Sequence, residues 1–185
     1  DQAPHIEMTR EVVRKFNRIF EPIFKEPDTK IGRVPRLKGI DGNNKMSKSK
    51  GNVIELRFSE EEVNKAVMSM YTDPKRLKAT DPGTVEGNPL FQYHDAFNPD
   101  KEKVDDFKKR YREGKVGDVE VKKDLAETLN NFLSPIREKR EYYENNPKEV
   151  EDALMSGTSK AREIASETMK MVRAAMKIDS YTSKW

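Results

Sequence analysis

The sequence of 185 residues contains no cysteine and only two histidines, His5 and His94, which lie far apart. Disulfide bonds and thiolate metal sites are therefore excluded, and nothing in the pattern indicates a histidine-based zinc site. No run of about 18 apolar residues occurs that could span a bilayer, and the N-terminus has no segment typical of a signal peptide. These absences predict a cytoplasmic protein that does not bind membranes and has no metal-ligating residues.

Apolar residues are also scarce, since 34% of the residues are hydrophobic and 37% are charged. Large parallel sheets need nearly continuous apolar strands, so most of the chain is predicted to form amphipathic helices. The 36 basic and 33 acidic side chains leave a net charge of only +3. So small an excess does not predict nucleic-acid binding, which has to rest on local patches.

One short segment has the composition of a phosphate-binding site. The residues Lys45-Met46-Ser47-Lys48-Ser49 combine two ammonium groups with two hydroxyl groups, all of which can donate hydrogen bonds to phosphate oxygens. Turn-forming residues, including Gly42 and Gly51, lie on both sides and predict a mobile loop. A solvated linker would have the same composition, and such linkers are commoner than sites, so the neighbouring residues have to decide.

The first half of the chain predicts three elements before a turn-rich stretch. Apolar spacing predicts a helix over residues 4–20, and residues 31–37 form the best strand candidate, although a proline interrupts them. Ser59 and Glu62 have the spacing of a capping box and predict the start of a second helix. Residues 72–98 are predicted to be a surface connector with one short helix near its end.

The second half is predicted to be an array of helices. Asn98 and Pro99 are a favourable N-cap and first-turn pair, and Gly114 is expected to end the helix that they begin. A longer helix follows, which an internal proline is predicted to kink or divide. After it we expect a short helical segment, a break at Gly157, a final helix and a frayed tail over 179–185.

Several segments together resemble one known family. The tryptophanyl-tRNA synthetases of bacteria are similar to this chain in Asp1-Gln2, in the Lys/Ser segment, in Asp81-Pro82-Gly83 through Gly87-Asn88-Pro89-Leu90-Phe91, and in Asp118 through Lys123-Asp124-Leu125-Ala126-Glu127 to Pro135-Ile136-Arg137. The resemblance extends from residue 1 to about residue 178. Many class I aminoacyl-tRNA synthetases share the five-residue segment, so the later segments are what point to tryptophan.

The resemblance implies that the chain begins inside a catalytic domain. In that family a Rossmann-type domain starts well upstream with a His-Ile-Gly-His type signature, whereas here His5-Ile6 is followed by Glu7-Met8 and is better interpreted as a helix start. The expected fold is therefore mainly α, with a remnant of an α/β Rossmann-type catalytic domain followed by an all-helical domain of the anticodon-binding type. The predicted segments are the catalytic part with the ATP loop at 1–71, a connector at 72–98, the helical tRNA-binding domain at 99–178 and the tail at 179–185.

The resemblance also implies a reaction. The family activates L-tryptophan with ATP and Mg²⁺, releases pyrophosphate and transfers the amino acid to tRNA(Trp), and the intact enzyme is a homodimer. Lys45 and Lys48 are predicted to be catalytic, because they would stabilise charge on the leaving pyrophosphate. The predicted ATP-binding residues are Asp1 on the ribose side, Val34 near adenine, Lys45, Met46, Ser47, Lys48 and Ser49. Gln2 is predicted to hold the amino end of the substrate, although Asp1 and Gln2 would equally suit a helix-capping pair.

The helical domain is expected to bind the tRNA. Its basic residues accompany two tyrosines, a mixture that suits phosphates and unstacked bases. Acidic residues alternate with them along the same helices, which equally suits solvated faces, so this prediction concerns the domain and not single side chains. The residues are Lys122, Lys123, Arg137, Lys139, Arg140, Tyr142, Tyr143, Lys160, Arg162, Lys170, Arg173 and Lys177.

Two other interpretations stay open. The tyrosyl-tRNA synthetases are the nearest relatives of the family, and the residues that would bind the indole ring are expected in the upstream half. The chain could also be a non-catalytic RNA-binding or interaction module, because half an active site gives little catalysis. We expect this chain to be inactive alone.

Overall fold

Helices make up the regular structure of this protein. The computed structural model describes residues 2–34, 36–43, 45–74, 76–78 and 80–178. Within these residues there are six α-helices, one short 3-10 helix and no strand, which confirms the mainly α prediction, and none of the helices is long and apolar enough to cross a membrane. The α-helices are α1 (Ala3–Ile19), α2 (Glu60–Met68), α3 (Pro89–Phe97), α4 (Lys101–Arg112), α5 (Asp118–Asn145) and α6 (Pro147–Ala175).

The strand predicted at residues 31–37 is wrong for the described part of that stretch. Residues 31–34, 36 and 37 are irregular, and Ile31 leaves 71% of its surface exposed. A strand needs a neighbouring strand to satisfy its backbone donors and acceptors, and no described residue supplies one. The predicted Rossmann-type remnant thus contributes no sheet to the described part of the chain.

The chain divides into two compact units. One comprises Asp1–Arg33 with Tyr143–Trp185, and the other comprises Val34–Tyr142. The main apolar core lies in the second unit, where Val63, Leu90 and Leu125 are fully buried. Burying each such side chain contributes about 1.5–3 kcal/mol to folding. The domain boundaries predicted from the sequence stay predictions.

In the first unit, α1 begins where the sequence predicted a helix start. Pro4 lies in its first turn, where a missing N–H costs no helical hydrogen bond. The rings of Phe16 and Phe24 pack edge to face with their centres 5.0 Å apart. The Asn17 amide donates to the Phe24 carbonyl at 2.8 Å and accepts from its N–H at 3.1 Å. The segment after α1 is therefore folded back on the end of that helix.

The predicted capping box at the start of α2 is confirmed. The Ser59 hydroxyl accepts a hydrogen bond from the N–H of Glu62 at 3.2 Å, and the Glu62 carboxylate accepts one from the N–H of Ser59 at 2.8 Å. Val63 and Val67 follow at helical spacing and are fully buried. The reciprocal pair fixes the first turn of α2 and directs one face of the helix to the core.

The predicted helix start at residues 98 and 99 is wrong. The Asn98 side-chain nitrogen donates to the Asp124 carboxylate at 3.0 Å, and its oxygen accepts from the N–H of Asp100 at 3.0 Å, but the residue is the C-cap of α3 and does not begin a helix. Asp100 caps α4 instead, because its side chain accepts a hydrogen bond from the N–H of Lys103 at 3.0 Å. The helix before it, α3, begins earlier than predicted and is capped by the Asn88 side chain. The N-cap of this helix therefore lies two residues later than predicted.

The last two helices are less interrupted than predicted. α5 continues through Pro135, and α6 continues through Gly157. Helix propagation is cooperative, so hydrogen bonds on either side maintain the helix across one unfavourable residue, and Leu133 anchors α5 in the core next to the proline. Gly114, with φ 68°, follows the end of α4 as predicted. The predicted frayed tail at 179–185 lies outside the described residues.

A buried arginine fixes the connector in the second unit. The Arg76 guanidinium donates to the carboxylate of Asp118 at 2.9 Å, to the carbonyl of Val116 at 2.7 Å and to the carbonyl of Asp81 at 2.8 Å. It lies 4.1 Å from the centre of the Tyr111 ring, whose hydroxyl donates to the other oxygen of Asp118 at 2.9 Å. Burial raises the pKa of Tyr111 to about 12, which keeps that donor protonated. The connector is thereby attached to both α4 and α5.

Candidate phosphate-binding loop

A tight turn precedes the Lys/Ser segment. The N–H of Gly42 donates to the Gly39 carbonyl at 2.9 Å, and the N–H of Gly39 donates to the Asn43 carbonyl at 2.9 Å. Asp41 accepts hydrogen bonds from the N–H of Asn43 at 3.0 Å and from its side-chain amide at 2.6 Å. The side-chain hydrogen bond from Asn43 lowers the pKa of Asp41, so the carboxylate is ionised at neutral pH. Gly42 has φ 85°, which only glycine adopts without strain.

A buried asparagine joins the two ends of the Lys/Ser loop. Asn52 is 2% exposed, and its Oδ1 accepts a hydrogen bond from the N–H of Ser47 at 2.7 Å. Its Nδ2 donates to the Lys45 carbonyl at 3.0 Å and lies 3.0 and 3.1 Å from the two oxygens of Asp41. Its own carbonyl accepts from the N–H of Ile40 at 3.0 Å. The residue follows a glycine in the sequence, and no sequence pattern separates such a turn former from a buried amide.

Gly39 provides the space that this asparagine occupies. A Cβ atom at Gly39 would lie 2.4 Å from Nδ2 of Asn52 and 2.6 Å from Oδ1 of Asp41. Atoms do not approach so closely without displacement, so any larger residue would push the amide out of place. Packing, and not an unusual backbone conformation, is the reason for this glycine.

The loop itself is a short turn that exposes its side chains. Residues Lys48–Lys50 form the 3-10 helix, which Gly51 ends with φ 65°. The hydroxyl oxygens of Ser47 and Ser49 lie 2.8 Å apart in a hydrogen bond. Met46 is 36% exposed. All five residues of the predicted segment are thus brought together on one exposed turn.

The two predicted catalytic lysines present their ammonium groups to solvent. The Lys48 side chain is 81% exposed, and its Nζ lies 3.7 Å from a carboxylate oxygen of Glu55. Arg57 donates to the same oxygen at 2.8 Å, and this hydrogen bond lowers the pKa of Glu55. Lys45 is also exposed, and no ion pair joins it to a carboxylate of the described residues. Both ammonium groups are therefore accessible to a polyanion.

The other predicted ligands belong to earlier parts of the sequence. Asp1 lies outside the described residues. Gln2 precedes α1, and its carbonyl accepts hydrogen bonds from the N–H groups of His5 at 3.1 Å and Ile6 at 3.4 Å. Val34 is 39% exposed in the irregular stretch before the loop. The roles of Asp1, Gln2 and Val34 stay predictions.

The turn before the loop is attached to the connector. The Lys38 ammonium donates to the Gly87 carbonyl at 2.9 Å, and the N–H of Tyr71 donates to the Ile40 carbonyl at 2.7 Å. A hollow of about 300 Å³ lies beside these contacts. Among the residues that the structure describes, no group of three or more His, Asp and Glu side chains is placed to hold a metal ion.

Two residues that were predicted to bind RNA, Lys122 and Arg137, donate hydrogen bonds to backbone carbonyls within the fold. Lys122 is buried, and its ammonium donates to the carbonyls of Met68 and Met70 at 3.2 and 2.6 Å, at the end of α2. Burial lowers the pKa of Lys122. Arg137 donates to the Phe58 carbonyl at 2.8 Å and is partly buried. Lys122 is therefore not part of an exposed basic cluster.

Comparison with known proteins assigns the chain to a family. The family model described as class I tRNA synthetases (W and Y) matches residues 1–134. The match covers well over half of the sequence, and the chain belongs to this family, which comprises the tryptophan and tyrosine enzymes.

The relatives that the chain matches carry the name of one enzyme within this family. The tryptophan–tRNA ligase of Chlamydia caviae is 48% identical over 185 residues, which cover 100% of this chain and 53% of the relative. The enzyme of the same name from Borreliella burgdorferi is 49% identical over 175 residues, which cover 94% and 50%. The chain thus spans about half the length of the curated relatives that it matches.

Solved structures give the same picture. The tryptophanyl-tRNA synthetase of Campylobacter jejuni, complexed with ADP and tryptophan, matches with a TM-score of 0.72 at 30% identity over 96% of this chain and 55% of that chain. The corresponding enzyme of Mycoplasma pneumoniae gives a TM-score of 0.75 at 20% identity over 100% and 56%, a likeness of fold alone.

Proposed function

We propose that this chain is the ATP-loop and tRNA-binding part of a tryptophan–tRNA ligase. The observation that carries the proposal is the loop at residues 45–49, which exposes two lysines on a backbone held by Asn52. The names of relatives at 48% and 49% identity support tryptophan as the amino acid. The ADP in the Campylobacter jejuni complex supports an adenine nucleotide as the second substrate of such enzymes.

The proposed reaction consists of two transfers. The carboxylate of L-tryptophan attacks the α-phosphorus of ATP, the bond between the α- and β-phosphates breaks, and pyrophosphate leaves. A ribose hydroxyl at the end of tRNA(Trp) then attacks the carbonyl carbon of the adenylate, and AMP leaves. Neither step needs a protein nucleophile, so the protein contributes by positioning the reactants and stabilising phosphate charge.

Lys45 and Lys48 are suited to the phosphate end of ATP. Their exposed ammonium groups provide charge-assisted donors for the oxygens of the leaving pyrophosphate. The hydroxyl groups of Ser47 and Ser49 are hydrogen-bonded to each other, and either hydroxyl could donate to a phosphate oxygen instead. Magnesium, which usually reaches such sites on substrate phosphates, would share the charge. Met46 is placed between the two lysines in sequence, where its backbone would lie against adenine.

The tRNA is proposed to bind the helices that follow the connector. Tyr142 and Tyr143 are 51% and 48% exposed at the end of α5, and exposed Lys139 and Arg140 precede them. Such a mixture suits single-stranded RNA, whose bases stack on aromatic rings while cations contact phosphates. Homodimer formation by the intact enzyme and a cytoplasmic location belong to the same proposal.

Pyrophosphate exchange tests the proposed activity. This chain is joined to the part of the Chlamydia caviae ligase that it does not match, and amino-acid-dependent exchange of labelled pyrophosphate into ATP is measured. We expect exchange with tryptophan in the chimaera and none with the chain alone. Exchange with tyrosine in place of tryptophan would overturn the assigned amino acid. Exchange by the chain alone would overturn the view that its active site is incomplete.

Two neighbouring lysines provide a matched pair for the proposed role. In the chimaera, Lys48→Ala is expected to lower kcat for exchange by about 10²–10³-fold, the usual loss when a donor to developing charge is removed. The KM for tryptophan should change little, because the contact strengthens at the transition state. Lys50→Ala, which removes another exposed cation from the same 3-10 helix, is the control and should retain most activity. Equal losses for both variants would contradict a specific role for Lys48.

A further inference from the structure

The amide of Asn52 contacts three separate parts of the loop region. One oxygen accepts from Ser47, and one nitrogen is shared between the Lys45 carbonyl and the Asp41 carboxylate. These contacts lie on either side of Met46, so they fix both the carbonyl before this residue and the N–H after it. The side chain is nearly inaccessible to water, and its hydrogen bonds therefore meet little competition from solvent.

The chemistry of these contacts requires an amide. A carboxylate at this position could still accept from Ser47, but its second oxygen would face two oxygens of Asp41 at about 3 Å. It would also face the Lys45 carbonyl, which needs a donor. A hydroxyl or an alkyl group would reach only part of this set. Asn is thus the side chain whose oxygen can accept from the Ser47 N–H while its nitrogen donates to the Lys45 carbonyl.

The Asp41 carboxylate is itself prepared for this contact. The turn at residues 39–43 supplies it with two hydrogen bonds from Asn43, which hold both of its oxygens toward the Asn52 amide. Gly39 leaves the necessary space. Turn, carboxylate and amide therefore form one connected unit behind the Lys/Ser segment.

We infer that Asn52 is a positioning residue for the proposed reaction, and that with Asp41 it sets the direction in which Lys45 and Ser47 leave the loop. The inference rests on the proposed function. Lys48, in contrast, lies on the outer 3-10 helix between Ser47 and Gly51, whose own turn is closed by the N–H of Gly51 donating to the Lys48 carbonyl at 3.0 Å. The loop thus has a fixed side at Lys45 and an outer side at Lys48.

Substitution of the amide by its isosteric acid separates positioning from simple volume. Asn52→Asp retains size but replaces the donor with a like charge beside Asp41. In the 185-residue chain, repulsion from Asp41 and the Lys45 carbonyl should displace the new carboxylate from Ser47. We therefore expect hydrogen exchange of the Ser47 amide to accelerate by roughly tenfold or more, because its buried hydrogen bond is weakened. Restoring one donor with Asp41→Asn in the same chain should recover part of the protection. Asn131→Asp, the same change at an exposed position of α5, is the control and should leave Ser47 unaffected.

The functional arm uses the chimaera and a double-mutant cycle with Lys45. Asn52→Asp is expected to lower kcat for pyrophosphate exchange by about 10²-fold, the cost of misplacing a catalytic group by about 1 Å, with little change in the KM for tryptophan. In a Lys45→Ala background, the same substitution should cost much less, because the group that it positions has been removed. Full additivity of the two losses would overturn the inference.

The hydrogen-exchange and activity experiments distinguish failure of this inference from failure of the proposed function. If the unsubstituted chimaera shows no exchange, the proposed function fails and the catalytic part of the inference fails with it. Unchanged exchange of the Ser47 amide in Asn52→Asp would overturn the inference even if the chimaera is active. Accelerated amide exchange without recovery in the Asp41→Asn double variant would show that the contact between Asp41 and residue 52 does not position the loop, which also overturns it.

Discussion

Arg76 and Lys48 are both cations next to an acid in loops of the second unit, but their surroundings differ. The Arg76 side chain is 1% exposed and lies 2.9 Å from Asp118, whereas the Lys48 side chain is 81% exposed and lies 3.7 Å from Glu55. Arg76 uses its donors on two backbone carbonyls as well. Lys48 keeps its donors in contact with water. The comparison separates a cation that stabilises the fold from one that is available to a ligand.

The difference follows from solvation. A buried charge is costly to desolvate, and only a nearly complete set of acceptors offsets that cost, so removing one partner leaves the other uncompensated. An exposed pair gains little because water screens it. Substitution of Arg76 should therefore strongly lower the free energy of unfolding, whereas substitution of Lys48 should hardly change it. The activity in pyrophosphate exchange should show the opposite order.

The largest expected effect on stability is at Arg76. Arg76→Met retains an unbranched apolar stem but leaves the Asp118 carboxylate without its buried cation, and we expect a loss of about 3–5 kcal/mol in the free energy of unfolding. Urea denaturation of the chain, followed by circular dichroism, measures this. Arg112→Met is the matched control, since Arg112 is 49% exposed in its pair with Glu86 and should change the midpoint far less. Similar midpoints for the two variants would break the comparison.

A smaller effect is expected at the buried histidine. The ring of His94 has Nε2 3.0 Å from the Val121 carbonyl and Nδ1 3.2 Å from the Asn98 amide, an arrangement that suits the neutral ring with its proton on Nε2. Burial lowers the pKa of His94 below its ordinary 6.5, although the carboxylate of Asp124 opposes this shift. The buried site therefore favours an uncharged group, unlike the site of Arg76.

The pH dependence follows from this direction. Between the lowered pKa of His94 and 6.5, the unfolded chain binds more protons than the folded chain, so stability falls as pH falls through that window. Urea midpoints measured between about pH 8 and about pH 5 should decline for the unsubstituted chain. His94→Gln should reduce the decline, and His5→Gln, at the exposed start of α1, should leave it intact. A decline that is identical in His94→Gln would rule out this histidine as its source.

The smallest expected effect is that of Lys48 on stability. Lys48→Ala removes one distant, solvent-exposed ion-pair partner, so the urea midpoint should not shift measurably. Together with the large loss of exchange activity expected in the chimaera, this result would show that Lys48 acts in catalysis and not in folding. A clear loss of stability would show instead that the contact with Glu55 helps to hold the loop.

Sequence patterns predicted the parts of this structure that depend on near neighbours. The start of α1, the capping box of Ser59 and Glu62, and the end of α4 at Gly114 each follow from residues within a few positions of one another. The turn-forming residues beside the Lys/Ser segment likewise predicted a loop, and residues 48–50 form a short 3-10 turn there. Local chemistry decides these features, and it is present in the sequence itself.

The features that prediction missed depend on distant partners. Lys122 looked like one more surface lysine, but the open carbonyls at the end of α2, more than fifty positions earlier in the chain, bind its ammonium. Asn98 was predicted to be a helix cap, but it ends α3, and its side-chain nitrogen donates to Asp124, 26 positions later in the chain. Residues 31–37 looked like a strand, but a strand also needs a neighbour that no described residue provides. A single sequence does not specify these long-range contacts.

The close approach of Gly39 to Asn52 has a consequence for how such loops are found in genomes. The five residues from Lys45 to Ser49 form a short query, which a solvated linker of the same sequence would also match. The query becomes more specific when Gly39, Asp41 and Asn52 are added at their positions in the sequence, because these three residues contact one another in the fold. Database matches that retain the lysines but lose this spacing would then be expected to be linkers.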